Sequence, residues 1–118
     1  MIMSLDTTGV VDAIGTEKDS DIVVLTIVDS WNWLDERAHL EALQAKFNTY
    51  FAFVESGEIL GAYPNAAAKT MRIDVIFRHD PPPRAVAFLE SAARVAAELR
   101  LTVRHRVHED SDDSAPRK

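Results

Sequence analysis

The feature that most constrains this fold is one uninterrupted helical stretch, from about Asn32 to Ser56, with Gly57 behind it. It reads NWLDERAHLEALQAKFNTYFAFVESG and is the longest periodic segment of the chain. It has a start signal. Ser30 or Asn32 can accept a bond from an orphan backbone N–H, and Asn32 with Asp35 three residues on resembles a capping box. Asp35 and Glu36 suit the positive end of the helix dipole. It also has a stop signal, because Gly57 can take the left-handed conformation that closes a helix.

On a helical wheel the stretch divides into three zones. Trp33, Leu40, Leu43, Phe47, Tyr50, Phe51 and Val54 form a heavy apolar stripe, expected to pack on a sheet. Arg37, Glu41, Gln44, Asn48 and Glu55 form a narrow polar stripe. The third zone holds Leu34, Ala38, Ala42, Ala45, Thr49, Ala52 and Phe53 and carries no charge. A solvent-facing helix surface normally carries charges there. Three explanations stay open: the helix propensity of alanine, packing against a second alanine-rich helix, or an interface with another copy. The interaction candidates are therefore Ala38, Ala42, Ala45, Thr49, Ala52 and Phe53.

Around this helix the chain supplies strands. Val10–Gly15 is short and β-leaning, and Thr16–Asp21 is a polar turn. Ile22–Val28 is a continuous β-branched run expected to be buried on both faces, or nearly so. The two runs read as a hairpin. After Gly57, Glu58–Tyr63 reads as a short edge strand. Thr70–His79 alternates cleanly, with Met71, Ile73, Val75 and Phe77 inward. These two are expected to make a second hairpin. Asp80-Pro81-Pro82-Pro83 stops the strand and opens a second helix to about Arg100. Its inward face is Ala85, Phe88, Ala92, Val95, Ala96 and Leu99. Leu101–His108 alternates again as a last strand, with Leu101, Val103, His105 and Val107 inward. The fold class is α+β: a two-layer sandwich, order β-β-α-(β-β)-α-β, with two helices on one face of a four- or five-stranded mixed sheet.

The 118 residues suit one domain, placed here at 10–108, with a flexible lead-in at 1–9 and a polar, disordered tail at 109–118. The chain has no cysteine, which excludes disulfides, thiolate metal sites and a cysteine nucleophile. No apolar run reaches membrane-spanning length, and the N-terminus lacks the pattern of a signal peptide. The net charge of −6 argues against general nucleic-acid binding. These features point to a soluble cytoplasmic protein.

The chemistry on offer is sparse. Asp35, His39, Lys46 and Tyr50 lie along the border of the apolar stripe, in two i,i+4 pairs. A carboxylate beside an imidazole can orient a general base. The same pair is also a common surface ion pair on a helix. The four histidines lack matched spacing for a metal, and no phosphate loop, nucleophile elbow or dinucleotide fingerprint is present. Arg72 and Arg78 share the outward face of one strand, and Arg104 and Arg106 that of the last. If those strands are neighbours, four arginines converge with Asp74 among them. Such a face would bind anions or an acidic partner, or would simply keep a sheet solvated. An RNA-reading sheet needs exposed aromatics, which these faces lack.

Asp29, Trp33, His39-Leu40, Leu43-Gln44, Lys46, Asn48, Tyr50, Phe53 and Ser56-Gly57, followed by Tyr63-Pro64 and Ile73–Phe77, make up a recognisable pattern. It resembles a small bacterial domain family of unknown function, over about Val11 to Ala97. The resemblance implies a small bacterial cytoplasmic protein and supplies no activity, cofactor or catalytic residue. The resulting expectation is a non-catalytic interaction module, with a protein partner or homodimer and no cofactor. Two alternatives stay open. One is a small-molecule enzyme at the Asp35–His39–Lys46–Tyr50 edge. The other is an anion- or nucleic-acid-binding sheet face.

Overall fold

The computed structural model describes residues 9, 11, 13–16, 22–62, 64 and 70–107. The 1–9 lead-in, Gly9 apart, and the 109–118 tail lie outside the described residues. The elements are β1 (Ala13–Thr16), β2 (Ile22–Asp29), α1 (Glu36–Glu55), α2 (Ile59–Ala62), β3 (Thr70–Phe77), α3 (Pro83–Glu98) and β4 (Leu101–Val107). The four strands form one sheet in the order β1-β2-β3-β4. The β1–β2 hairpin is antiparallel, as expected, with Ala13 opposite Thr26. The β2–β3 and β3–β4 pairs are parallel. The sheet is therefore mixed, and α1 and α3 are each the crossover between neighbouring parallel strands.

The expected second hairpin does not form. The segment read as an edge strand is the short helix α2, whose Ile59 is buried in the core. With no strand to pair with locally, β3 pairs with β2 in register Ile22 to Thr70 through Asp29 to Phe77. Glu58–Tyr63 has only four apolar side chains and a glycine, and one buried Ile59 satisfies a helical turn as well as a strand.

Register fixes the two faces of the sheet. Val23, Leu25, Ile27 and Asp29 of β2 lie beside Met71, Ile73, Val75 and Phe77 of β3. On the far side of β3 come Leu101, Val103, His105 and Val107. This face meets the helices in one cluster that includes Leu43, Phe47, Tyr50, Leu89, Ala92 and Ala96. Each large aliphatic or aromatic side chain fully buried there contributes about 1.5–3 kcal/mol. The expected inward set of β3 holds. In β4 only Leu101 is fully buried, Val103 and Val107 are half-buried and His105 is exposed, because β4 is the edge of the sheet. β2 alternates between fully and half-buried residues, so only one of its faces is sealed.

α3 follows its expected phase with one shift: Leu89 is buried in place of Val95, which is 48 % exposed. It meets α1 through Phe88, which packs edge-on against Phe47 at 5.8 Å. An ion pair between Arg84 and Glu36 joins the starts of the two helices at 4.0 Å. The alanine zone of α1 is thus not the surface that α3 covers. Ala42, Ala45, Thr49 and Phe53 are half-buried, Ala38 and Ala52 exposed, and Leu34 is 91 % exposed. Thr49, Ala52 and Phe53 line a groove of about 470 Å³ with Gly9, Val11 and Glu58. Gly57 takes φ +85° after the Ser56 cap, as the stop signal requires.

Candidate functional site

The most concentrated polar chemistry lies where β2 runs into α1. The inward phase of β2 ends on Asp29, which is 0 % exposed. Its main chain is tied to the next strand, since Arg78 N donates to Asp29 O at 2.9 Å. Its carboxylate turns the chain, with Oδ1 accepting from Trp31 N at 3.1 Å. Asn32 repeats the device, its Oδ1 accepting from Leu34 N at 3.0 Å. Asp35 then caps the helix, accepting from Ala38 N at 3.1 Å. The helix therefore starts at Glu36 and not at Asn32, and the polar residues before it serve three successive turns.

His39, in the first turn of α1, points back beneath this loop and is 1 % exposed. Its Nε2 lies 2.5 Å from Asp29 Oδ2, and its Nδ1 lies 2.9 Å from the Asn32 carbonyl oxygen. The Trp33 ring stacks on the imidazole at 3.5 Å and 11°, with Trp31 tilted against it at 5.5 Å. Trp33 is itself held by Nε1 donating to His79 O at 3.3 Å, and touches Phe77 at 6.0 Å. The histidine is thus enclosed by two tryptophans, a strand end and a helix start.

The hydrogen bonds decide where protons sit. A carbonyl oxygen only accepts, so Nδ1 carries a hydrogen. One further proton lies between Nε2 and Oδ2. Either an imidazolium faces a carboxylate, or a neutral imidazole accepts from a protonated Asp29; in both cases the pair is neutral overall. Burial pushes the Asp29 carboxyl above its ordinary value. The His39 hydrogen bond and charge, the Trp31 N–H and the His79 charge pull the other way. Burial prevails, so the Asp29 carboxyl holds a proton to higher pH than a free aspartate does.

This arrangement corrects the sequence-based site. Asp35 is exposed and spent on the helix cap, and the carboxylate that meets His39 is Asp29, ten residues upstream. His39, Lys46 and Tyr50 do not border the apolar stripe. With Leu43 and Phe47 they are its buried centre. Nor do they converge, since Lys46 lies about 10 Å and Tyr50 about 16 Å along the helix from His39. Tyr50 donates its hydroxyl to the Thr26 carbonyl oxygen, pinning α1 across β2. Lys46 is 0 % exposed.

Asp29, Trp31 and Trp33 were not among the sequence candidates, yet phase alone marks Asp29. It continues the Val23, Leu25, Ile27 alternation into the core, and His39 continues the Leu43, Phe47, Tyr50 row backwards. Two polar residues in core phase need each other.

The second polar centre is the other face of the sheet. Arg72 Nε lies 2.6 Å from Asp74 Oδ1, and Arg72 Nη2 3.1 Å from Oδ2. Arg104 Nη2 reaches the same Oδ2 at 3.4 Å from the neighbouring strand. Arg106 lies opposite Ile76, exposed, and Arg78 falls just past the end of β3. Three of the four arginines thus share this face, and two of them converge on Asp74. Among the described residues, no group of three or more potential ligands could hold a metal ion.

A family model covers residues 3–109. The chain belongs to DUF6572, a family of unknown function. No curated protein and no solved structure matches it. The family assigns no activity to any of these residues, in keeping with what the sequence resemblance implied. No described helix is long and apolar enough to cross a membrane.

Proposed function

We propose that the domain is a non-catalytic protein-interaction module that covers the second face of its sheet with a protein partner, a second copy included. The observation that carries this reading is an imbalance in the layers. Strands β2, β3 and β4 are parallel, and parallel sheets are ordinarily covered on both faces. Both long helices lie on one face. Among the described residues no element lies over the other, where Val24, Thr26, Val28 and Ile76 are only half-buried. The β2 sequence is apolar on both sides, as a doubly covered strand would be. The Arg72–Asp74–Arg104 network gives the same face a polar half that could fix the register of a partner. A bacterial cytoplasmic setting belongs to the same proposal and agrees with the absence of cysteine.

Catalysis at His39 is the weaker reading. The Asp29–His39 pair lies at the carboxyl ends of parallel strands, where α/β proteins place their sites, but both partners are closed to solvent. Nucleic-acid binding through the arginines is weaker still, because Arg72 and Arg104 already engage Asp74.

Light scattering over a range of concentrations tests the proposal beside affinity capture with wild-type and Val24→Lys bait. A mass above one chain, or captured proteins that Val24→Lys fails to retain, is the expected result. A monomer at every concentration, with identical capture by both baits, would overturn it.

A further inference from the structure

A separate surface, the free edge of β4, carries an inference that does not depend on the covered-face reading. The sheet ends at β4, whose outer side pairs with no strand among the described residues. An exposed edge is a template for another strand unless it is blocked. Its residues Leu101–Val107 are extended throughout, with no proline or bulge to spoil pairing. Beside it on the helix face lies a cleft of about 200 Å³, lined by Val86, Leu89, Ala93 and Val103, with Glu90 and His105 also on its wall. On the opposite face, Arg104 and Arg106 project from the same strand, and Arg104 is 59 % exposed even while it contacts Asp74.

We propose that this edge takes an extended peptide of a partner protein in which acidic and apolar residues alternate. Side chains of an added strand alternate between the two faces. Every second residue would enter the Val86–Leu89–Ala93–Val103 cleft, and the residues between would meet Arg104 and Arg106. Main-chain hydrogen bonds to β4 supply affinity, and the cleft and the arginines supply selection. A second copy is the wrong occupant. Antiparallel self-pairing over the whole strand places Arg104 opposite its own symmetry mate, and like charges directly opposite are destabilising.

The test is calorimetric titration of the full chain with a short peptide alternating glutamate and valine. Controls are a block-ordered peptide of the same composition and a version with lysine for glutamate. The alternating peptide is expected to bind, and both controls to bind about tenfold more weakly or not at all. Binding should slow amide exchange in β4. Arg104→Glu with Arg106→Glu should weaken it about tenfold, and Ala93→Phe, which fills the cleft, should abolish it with the thermal midpoint unchanged. Val86→Lys repeats the cleft test should Ala93→Phe disturb α3. Equal binding of the block-ordered peptide, or unchanged binding in both cleft variants, reduces the effect to charge attraction and overturns the proposal. So does peptide binding that appears only after Glu109, Asp110, Asp112 and Asp113 are neutralised, which would make this acidic segment of the chain the occupant. A chain that binds no peptide in either form overturns it too.

Discussion

Replacing Asp29 by alanine and by asparagine separates the two things its carboxylate supplies, hydrogen-bond geometry and charge. Alanine removes the acceptor for Trp31 N and the partner of His39 Nε2 together. The Asp29–His39 contact is sealed, with the pair 0 % and 1 % exposed, so water does not replace that bond without opening the loop. Each orphaned buried polar group costs about 1–3 kcal/mol. Removing a carboxyl that is itself strained by burial offsets part of that cost. The net loss for Asp29→Ala is about 2–4 kcal/mol, which lowers the thermal midpoint of a domain this size by about 10–25 °C. Asparagine keeps the shape. Its Oδ1 accepts from Trp31 N and its Nδ2 donates to Nε2 of a neutral His39 whose Nδ1–H still serves Asn32. Every group remains paired, and the cost falls below about 1 kcal/mol.

The pH dependence follows from the same pair. The folded Asp29 carboxyl holds its proton above the ordinary value of 3.8, so the native state binds more protons than the unfolded chain between that value and the raised one. The Asp29 contribution to stability is fully present below 3.8 and is lost as pH rises through the raised folded value. Asp29→Asn has no such dependence, so the wild type should lose stability relative to it as pH rises across that window. Urea unfolding followed by tryptophan fluorescence from about pH 3 to about pH 8 measures this, with Trp31 and Trp33 placed against His39 as reporters. If Asp29→Asn is as destabilised as Asp29→Ala, a carboxylate facing an imidazolium and not the hydrogen-bond geometry holds the loop, and the protonated-carboxyl form of the pair is refuted.

Three further outcomes are expected. Gly57→Ala places a Cβ in open space, so its cost is the left-handed φ of +85° alone, about 1–2 kcal/mol by chemical unfolding; an unchanged midpoint would mean the cap rearranges freely. Arg100 sits at φ 63° just past the α3 cap, and Arg100→Gly should raise stability by about 0.5–1 kcal/mol, a gain a thermal melt resolves. Asp74→Ala removes the two-pronged partner of Arg72, whose side chain is only 10 % exposed, and should cost about 1–3 kcal/mol. Arg104→Ala, at 59 % exposure, should cost less than about 1 kcal/mol, and equal losses for the two would contradict the network.

The order of elements, the Glu58–Tyr63 segment apart, was legible because it depends on local rules. Alternation marks β3, a β-branched run marks β2, prolines open α3, and Gly57 closes α1 where the backbone needs a left-handed residue. The β1–β2 hairpin was legible for the same reason, its strands being separated in the sequence by only a short polar segment. What only the tertiary structure decided is which distant segments meet. Glu58–Tyr63 has too few apolar positions to distinguish a strand from a helical turn, and that one ambiguity changes β3 from a hairpin partner into a parallel neighbour of β2. Helical spacing likewise pairs His39 with Asp35, because i,i+4 arithmetic sees only residues on the same helix. The folded chain instead brings Asp29 to the histidine from the end of a strand, since burying one polar group requires a second at the same depth. The burial of Lys46 and Tyr50 follows from how α1 lies across β2. The sequence sets the phase of the helix, and the contact with the sheet decides which part of that phase becomes core.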